Sequence, residues 1–179
     1  GVALDGASLY ELFEKERVTF TAGVPTVWLA LLNHMQANKL KLSTLKYAVI
    51  GGSAAPPARI ETFDKEFGVG VLHAWGMSEM SPLGTFNTLK EKHQALSEDE
   101  QFKVWVKQGR PVFGVEMKIV NDKGEALPHD GKAFGDLMVR GPWVVSGYFK
   151  LEKTPLVDGW FPTGDVGTID PDGYLQITD

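Results

Sequence analysis

Lys46-Tyr47-Ala48-Val49-Ile50-Gly51-Gly52-Ser53-Ala54-Ala55-Pro56-Pro57 reads as a short buried strand, a loop of small residues and the start of a helix opened by proline. Ile60, Phe63 and Phe67 then supply an apolar stripe at helical spacing. Gly68 supplies the stop, and residues 69–72 the next strand. The same alternation appears upstream. A helix is expected over 8–16, with Leu9, Leu12 and Phe13 on one side and Ser8 as its N-cap. Residues 18–22 are β-branched and aromatic, as strands prefer. Pro25 opens a helix running to about Asn38, with Leu29, Leu32 and Met35 on one side. Strands separated by helices imply parallel βαβ units.

The second half has a different texture. After the polar stretch 90–101 come short strand-like runs at 115–120, 136–140 and 166–169, each followed by Gly, Pro or Asp turn residues. Such runs imply a small β-barrel-like subdomain. The expected fold class is therefore α/β, with a parallel βαβ portion (residues 1–95) followed by a β-rich subdomain (residues 96–179). Charge divides near the same point. Residues 1–95 carry 9 basic and 9 acidic side chains, and residues 96–179 carry 9 and 14, so the net charge of −5 belongs to the second half. That balance argues against a nucleic-acid groove, which needs a basic face. The absence of cysteine excludes disulfides and thiolate chemistry within this stretch and is compatible with a cytoplasmic setting. No apolar run approaches the ~18 residues of a transmembrane helix.

Three stretches carry candidate chemistry. The loop 51–56 follows a strand and precedes a helix, so it should emerge at the sheet edge where α/β folds bind ligands. Its small side chains admit a flat ligand or simply make a tight turn. In His73-Ala74-Trp75-Gly76-Met77-Ser78-Glu79, the indole offers a stacking face and Gly76 leaves room for a ligand against the backbone. Ser78 can meet a phosphate, and Glu79 can hold Mg²⁺ through oxygen. The third, Asp158-Gly159-Trp160-Phe161-Pro162-Thr163-Gly164-Asp165, ends in a carboxylate able to bind a ribose diol. No Gly-x-Gly-x-x-Gly follows a strand, which disfavours a dinucleotide oxidoreductase. Of the other histidines, His34 falls in a helix and His93 and His129 in polar loops, without metal-ligand spacing.

In this order and spacing the three stretches resemble the adenylate-forming superfamily of acyl-CoA synthetases, luciferases and peptide-synthetase adenylation domains. Gly52-Ser53-Ala54-Ala55-Pro56 resembles its adenine loop, Trp75-Gly76-Met77-Ser78-Glu79 its aromatic-Gly-x-Thr/Ser-Glu motif, and Thr163-Gly164-Asp165 its Thr-Gly-Asp motif. Gly109-Arg110-Pro111 and Arg140-Gly141 stand between them as the family has them. The resemblance implies a nucleotide-binding set of Ser53, Ala54, Ala55, Pro56, Ala74, Trp75, Gly76, Met77 and Asp165, with Ser78 and Glu79 catalytic and Glu79 the Mg²⁺ ligand. Within that set, Ser53 to Ala55 would line the adenine, Trp75 would stack on it, Ser78 would touch the α-phosphate and Asp165 would bind the ribose hydroxyls. Trp75 replaces the commoner Tyr, and Pro162 stands where the family often has Arg.

The flanks Gly23-Val24-Pro25-Thr26 and 109–116 are most similar to bacterial short- to medium-chain fatty-acyl-CoA ligases, a group that includes enzymes acting on 3-(methylthio)propionate. Ala74 would border the acyl group, and Trp28 is either core or tunnel wall, with core the better fit. His73 stands where the family often has Gln, at the mouth of the site and outside the chemistry. The resemblance implies ATP, Mg²⁺ and coenzyme A as co-reactants of a carboxylic acid. It also implies that the phosphate loop precedes residue 1 and the hinge and small C-terminal domain follow residue 179, so the chain by itself is expected to be inactive. A non-enzymatic nucleotide-binding module and an adenylation domain loading a carrier protein are the alternatives.

Overall fold

A computed structural model describes residues 3–52 and 57–178. The chain forms two compact units, Gly1–His73 and Ala74–Asp179. The division falls earlier than the expected boundary near residue 95. Residues 83–95, read from sequence as the end of the first half, are bonded into the second: the Asn87 side chain donates to the carbonyls of Val104 and Lys107, and the Lys90 amide to the Tyr174 hydroxyl.

The first unit is built as α1 (Gly6–Lys15), β1 (Phe20–Gly23), α2 (Pro25–Asn38), β2 (Tyr47–Ile50) and α3 (Pro57–Glu61), a short helix that continues as a π-helical turn at Thr62–Glu66. It closes with β3, which begins at Gly70. β1, β2 and the first four residues of β3 pair in parallel, from Phe20↔Tyr47 to Gly23↔Ile50 and from Tyr47↔Gly70 to Ile50↔His73. The N-cap of α1 is Asp5, not the expected Ser8; its carboxylate accepts from the Ser8 amide at 2.9 Å. The buried stripe of α2 is Trp28, Leu31, Leu32 and Met35, so Leu32 and Met35 lie inward as expected while Leu29 is turned outward.

Trp28 is core. It is 1% exposed, packs edge-on against Phe63 with ring centroids 6.0 Å apart, and donates its indole N–H to the carbonyls of Gly23 and Val49 at 3.1 Å each. A buried indole with its one donor satisfied costs nothing in lost hydration and adds a large apolar area.

In the second unit the remainder of β3, residues 74–76, pairs antiparallel with β4 (Leu83–Phe86), which pairs with β5 (Arg110–Pro111). Between them lies α4 (Glu98–Trp105). The rest is an antiparallel sheet in the order β6 (Glu116–Val120), β7 (Phe134–Arg140), β8 (Phe161–Ile169) and β9 (Leu175–Ile177). Alternation along these strands buries Ile119, Leu137, Val139, Phe161 and Leu175 on one face, against Trp75 and Met80. Among the described residues no helix is long and apolar enough to cross a membrane.

Candidate functional site

The strand expected to end at residue 72 continues as β3 to Gly76; only then does the chain turn, as a 3₁₀ turn at Ser78–Met80. Gly76 has a packing cause. A Cβ there would lie 1.9 Å from the carbonyl oxygen of Pro82, so a bare backbone is required by the chain's own return into β4, whatever binds nearby. The turn buries Met80 and half-buries Met77 against the core, while Ser78 is exposed and Glu79 half-buried. His73 and Ala74 are buried, at 1% and 7% exposure.

The Thr-Gly-Asp stretch is strand with an inserted kink. β7 and β8 pair at Asp136↔Val166 and again at Met138↔Pro162, so Thr163, Gly164 and Asp165 together face Leu137 alone. Two extra residues force a bulge, which bends the strand and re-aims the side chains in it. Gly164 takes the left-handed conformation that the bulge demands, with φ +84°. The ladder bond lost at Leu137 is replaced by the Thr163 hydroxyl, which donates to the Leu137 carbonyl at 3.0 Å and accepts from the Asp165 amide at 3.1 Å. Threonine, glycine and aspartate each have a separate task in this turn.

The bulge delivers Asp165 to Trp75. The indole Nε1 donates to Asp165 Oδ2 at 2.9 Å, joining two stretches 90 residues apart in sequence. A hydrogen bond to a carboxylate is among the stronger side-chain contacts. Trp75 is 9% exposed and belongs to the core of the second unit, so only a rim of its ring is accessible and its N–H is engaged.

The turn after β3 borders a hollow of about 300 Å³ lined by Ser78, Glu79, Ser81, Trp143, Val145 and Tyr148. Glu79 is held from the segment after β7: its carbonyl accepts from the Val145 amide at 2.7 Å, and its Oε1 accepts from the Tyr148 hydroxyl at 3.0 Å. Partial desolvation, then the bond to the Glu79 carboxylate, push the Tyr148 hydroxyl above its ordinary pKa. Tyr148 had no place in the sequence reading. It stands in an irregular stretch, where no period or spacing marks an aromatic as facing Glu79.

Among the described residues no three His, Cys, Asp or Glu side chains gather to hold a metal. A single carboxylate beside a serine suits Mg²⁺ arriving with nucleotide, because that ion keeps several waters and takes one or two carboxylates plus substrate phosphates. It does not suit a resident all-protein metal cage.

Several other motif residues have structural work within the second unit. Arg140 donates to Glu116 at 2.6 Å and lies 4.4 Å from the ring centre of Trp160. Arg110 donates to the Thr88 hydroxyl at 3.3 Å and covers the Tyr174 ring at 5.5 Å. Pro162 is exposed on β8. Residues 53–56, the expected adenine loop, lie outside the described residues. The structure therefore joins Trp75 to Asp165, and with them two of the three motif stretches, while Ser78 and Glu79 stand on the turn that follows Trp75.

Comparison with known proteins identifies the family. A family model described as AMP-binding enzyme matches residues 1–149. The chain is 54% identical over 180 residues to the 3-methylmercaptopropionyl-CoA ligase of Ruegeria lacuscaerulensis, covering 100% of this chain and 33% of that protein. It is 51% identical, with the same coverage, to the medium-chain-fatty-acid–CoA ligase of Ectopseudomonas oleovorans. Among solved structures, a long-chain-fatty-acid-CoA ligase from Archaeoglobus fulgidus superimposes with a TM-score of 0.79 at 28% identity, over 98% of this chain and 36% of that one. The chain thus spans about a third of the length of the curated relatives it matches. With the family model extending over most of the chain, and the motif residues meeting as described, the chain belongs to the AMP-binding enzyme family.

Proposed function

We propose that the full-length protein carrying this chain is an ATP-dependent acid–thiol ligase that converts a short- to medium-chain carboxylic acid to its coenzyme A thioester. The observation that carries this reading is the 2.9 Å bond between Trp75 and Asp165, with Glu79 four residues along the chain from Trp75. A carboxylate fixed beside an aromatic rim suits a ribose and its base. A second carboxylate at an open hollow suits a phosphate-bound cation.

In the proposed reaction the substrate carboxylate attacks the α-phosphorus of ATP, pyrophosphate leaves and an acyl-adenylate remains. The thiol of coenzyme A then attacks the acyl carbon, AMP departs and the thiol proton is lost to solvent or base. Little covalent chemistry falls to the protein; it aligns the reactants and neutralises charge. Asp165 takes the ribose hydroxyls, Ser78 meets the α-phosphate, and Glu79 offers one ligand to Mg²⁺. Bound there, the ion would neutralise phosphate charge. Gly76 and Met77 set the backbone path that points these groups outward. Ser53, Ala54, Ala55 and Pro56 are assigned to the adenine and Ala74 to the acyl group by family resemblance. A small residue at 74 leaves room for a flexible chain, and the names of the relatives support acids such as 3-methylmercaptopropionate or a medium-chain fatty acid. We assign acyl and adenine binding to residues 1–95, and a cytoplasmic setting consistent with the lack of cysteine.

The test is acid-dependent pyrophosphate release by the full-length protein against a panel of carboxylic acids, with and without coenzyme A. Thioester formation with short- to medium-chain acids, lost in Glu79→Gln, is the expected outcome. AMP binding without acid-dependent pyrophosphate release would leave a nucleotide-binding module instead, and acyl transfer only to a carrier protein would leave an adenylation domain. The 179-residue chain alone is expected to show no turnover in the same assay.

A further inference from the structure

We propose that Tyr148 is the positioning residue for the Glu79 carboxylate, holding one of its oxygens so that the group is presented to the cation that accompanies ATP. The inference rests on the reading of Glu79 as a magnesium ligand and adds a residue to it.

Three hydrogen bonds tie the segment after β7 to the turn after β3. The Ser81 hydroxyl donates to the Trp143 carbonyl at 3.3 Å, the Val145 amide donates to the Glu79 carbonyl at 2.7 Å, and the Tyr148 hydroxyl donates to Glu79 Oε1 at 3.0 Å. The first two fix the main chain. Only the third reaches the carboxylate, and a glutamate side chain without it has three rotatable bonds to order when the cation arrives. Tyr148 is 40% exposed, so filling the core does not account for its placement.

The chemistry of the donor matters as well. A lysine or arginine in this place would neutralise the carboxylate and compete with the cation. A phenol donates one hydrogen bond and leaves the full negative charge, which is how partners behind a metal ligand commonly act. Glu79 and Tyr148 both line the same hollow, so the held carboxylate borders open space.

The experiment uses the full-length protein in the absence of any carboxylic acid, so that nothing turns over. Calorimetry compares ATP binding with Mg²⁺, ATP binding with EDTA, and AMP binding, in Tyr148→Phe, Glu79→Gln and the double variant. Tyr148→Phe is expected to weaken Mg²⁺-dependent ATP binding by about tenfold. Its AMP affinity, metal-free ATP affinity and thermal midpoint should stay at the parent values, and the double variant should bind as Glu79→Gln does. Parallel loss of AMP and Mg–ATP affinity in Tyr148→Phe would reduce Tyr148 to a structural strap and overturn the proposal. So would unchanged Mg–ATP affinity. If Glu79→Gln itself retains full Mg²⁺ dependence, the assignment of Glu79 falls and the proposal with it, an outcome distinguishable from failure of Tyr148 alone.

Discussion

Gly76 and Trp75 show how much is decided by one residue's immediate neighbours. From sequence, glycine after an aromatic reads as space left for a ligand. In the fold that space is already taken by the Pro82 carbonyl, 1.9 Å from where a Cβ would sit. The obstacle is backbone, so it cannot swing aside as a side chain can. Gly76→Ala is therefore expected to destabilise the second unit by about 2 kcal/mol, as overpacking does. Denaturant unfolding of the variant checks this. A change below about 0.5 kcal/mol would mean that the turn at 80–83 gives way freely, since that is the range of ordinary surface substitutions. Trp75 is similar: its type was legible as a ligand-facing aromatic, whereas its low exposure and its bond to Asp165 depend on a residue 90 positions away.

Among the elements, α4 is one that sequence reasoning passed over. Its signal was present. Ser97 and Glu100 form a capping box, with Ser97 Oγ accepting from the Glu100 amide and Glu100 Oε2 accepting from the Ser97 amide at 3.1 Å. The Ser97 hydroxyl, donating to the same carboxylate, holds the Glu100 carboxyl below its ordinary pKa. None of the residues of α4 is buried, so no apolar stripe announced the helix. Its other end depends on tertiary structure. Asn87, wholly buried, donates its side-chain amide to the carbonyls of Val104 and Lys107 at 2.8 and 2.7 Å and more weakly to that of Trp105. Helix carbonyls without partners are costly when buried. Asn87→Ala should lower stability by about 2–3 kcal/mol by orphaning these acceptors, and should speed amide exchange in 103–108 ahead of the β6–β9 sheet. Uniform exchange across both would contradict this account.

Across the molecule, stability at low pH is expected to depend on Asp172. Its carboxylate bonds Lys92 at 2.6 Å, and Lys90 and His93 at 3.3 Å each. The Lys92 ammonium first, then Lys90 and His93, hold its pKa at about 2, below its ordinary 3.8. A depressed acid stabilises the fold above its unfolded pKa and loses that contribution as pH falls through the folded value. The difference in stability between the parent and Asp172→Asn should thus be full at pH 5 and narrow steadily from about pH 4 towards pH 2. Urea midpoints over that range test it, and parallel curves would refute the linkage. What the sequence settled by itself was local. Periodicity, prolines and small-residue loops specified the βαβ order, turn residues specified the short strands, and motif order pointed to the family, because each of these is encoded within a few adjacent residues. Tertiary structure alone decided which side chains meet: the bulge that turns Asp165 to Trp75, the carbonyl that excludes a side chain at Gly76, and the Tyr148 hydroxyl on Glu79. Those contacts join segments 6 to 90 residues apart, and no local pattern carries the distance between two such groups.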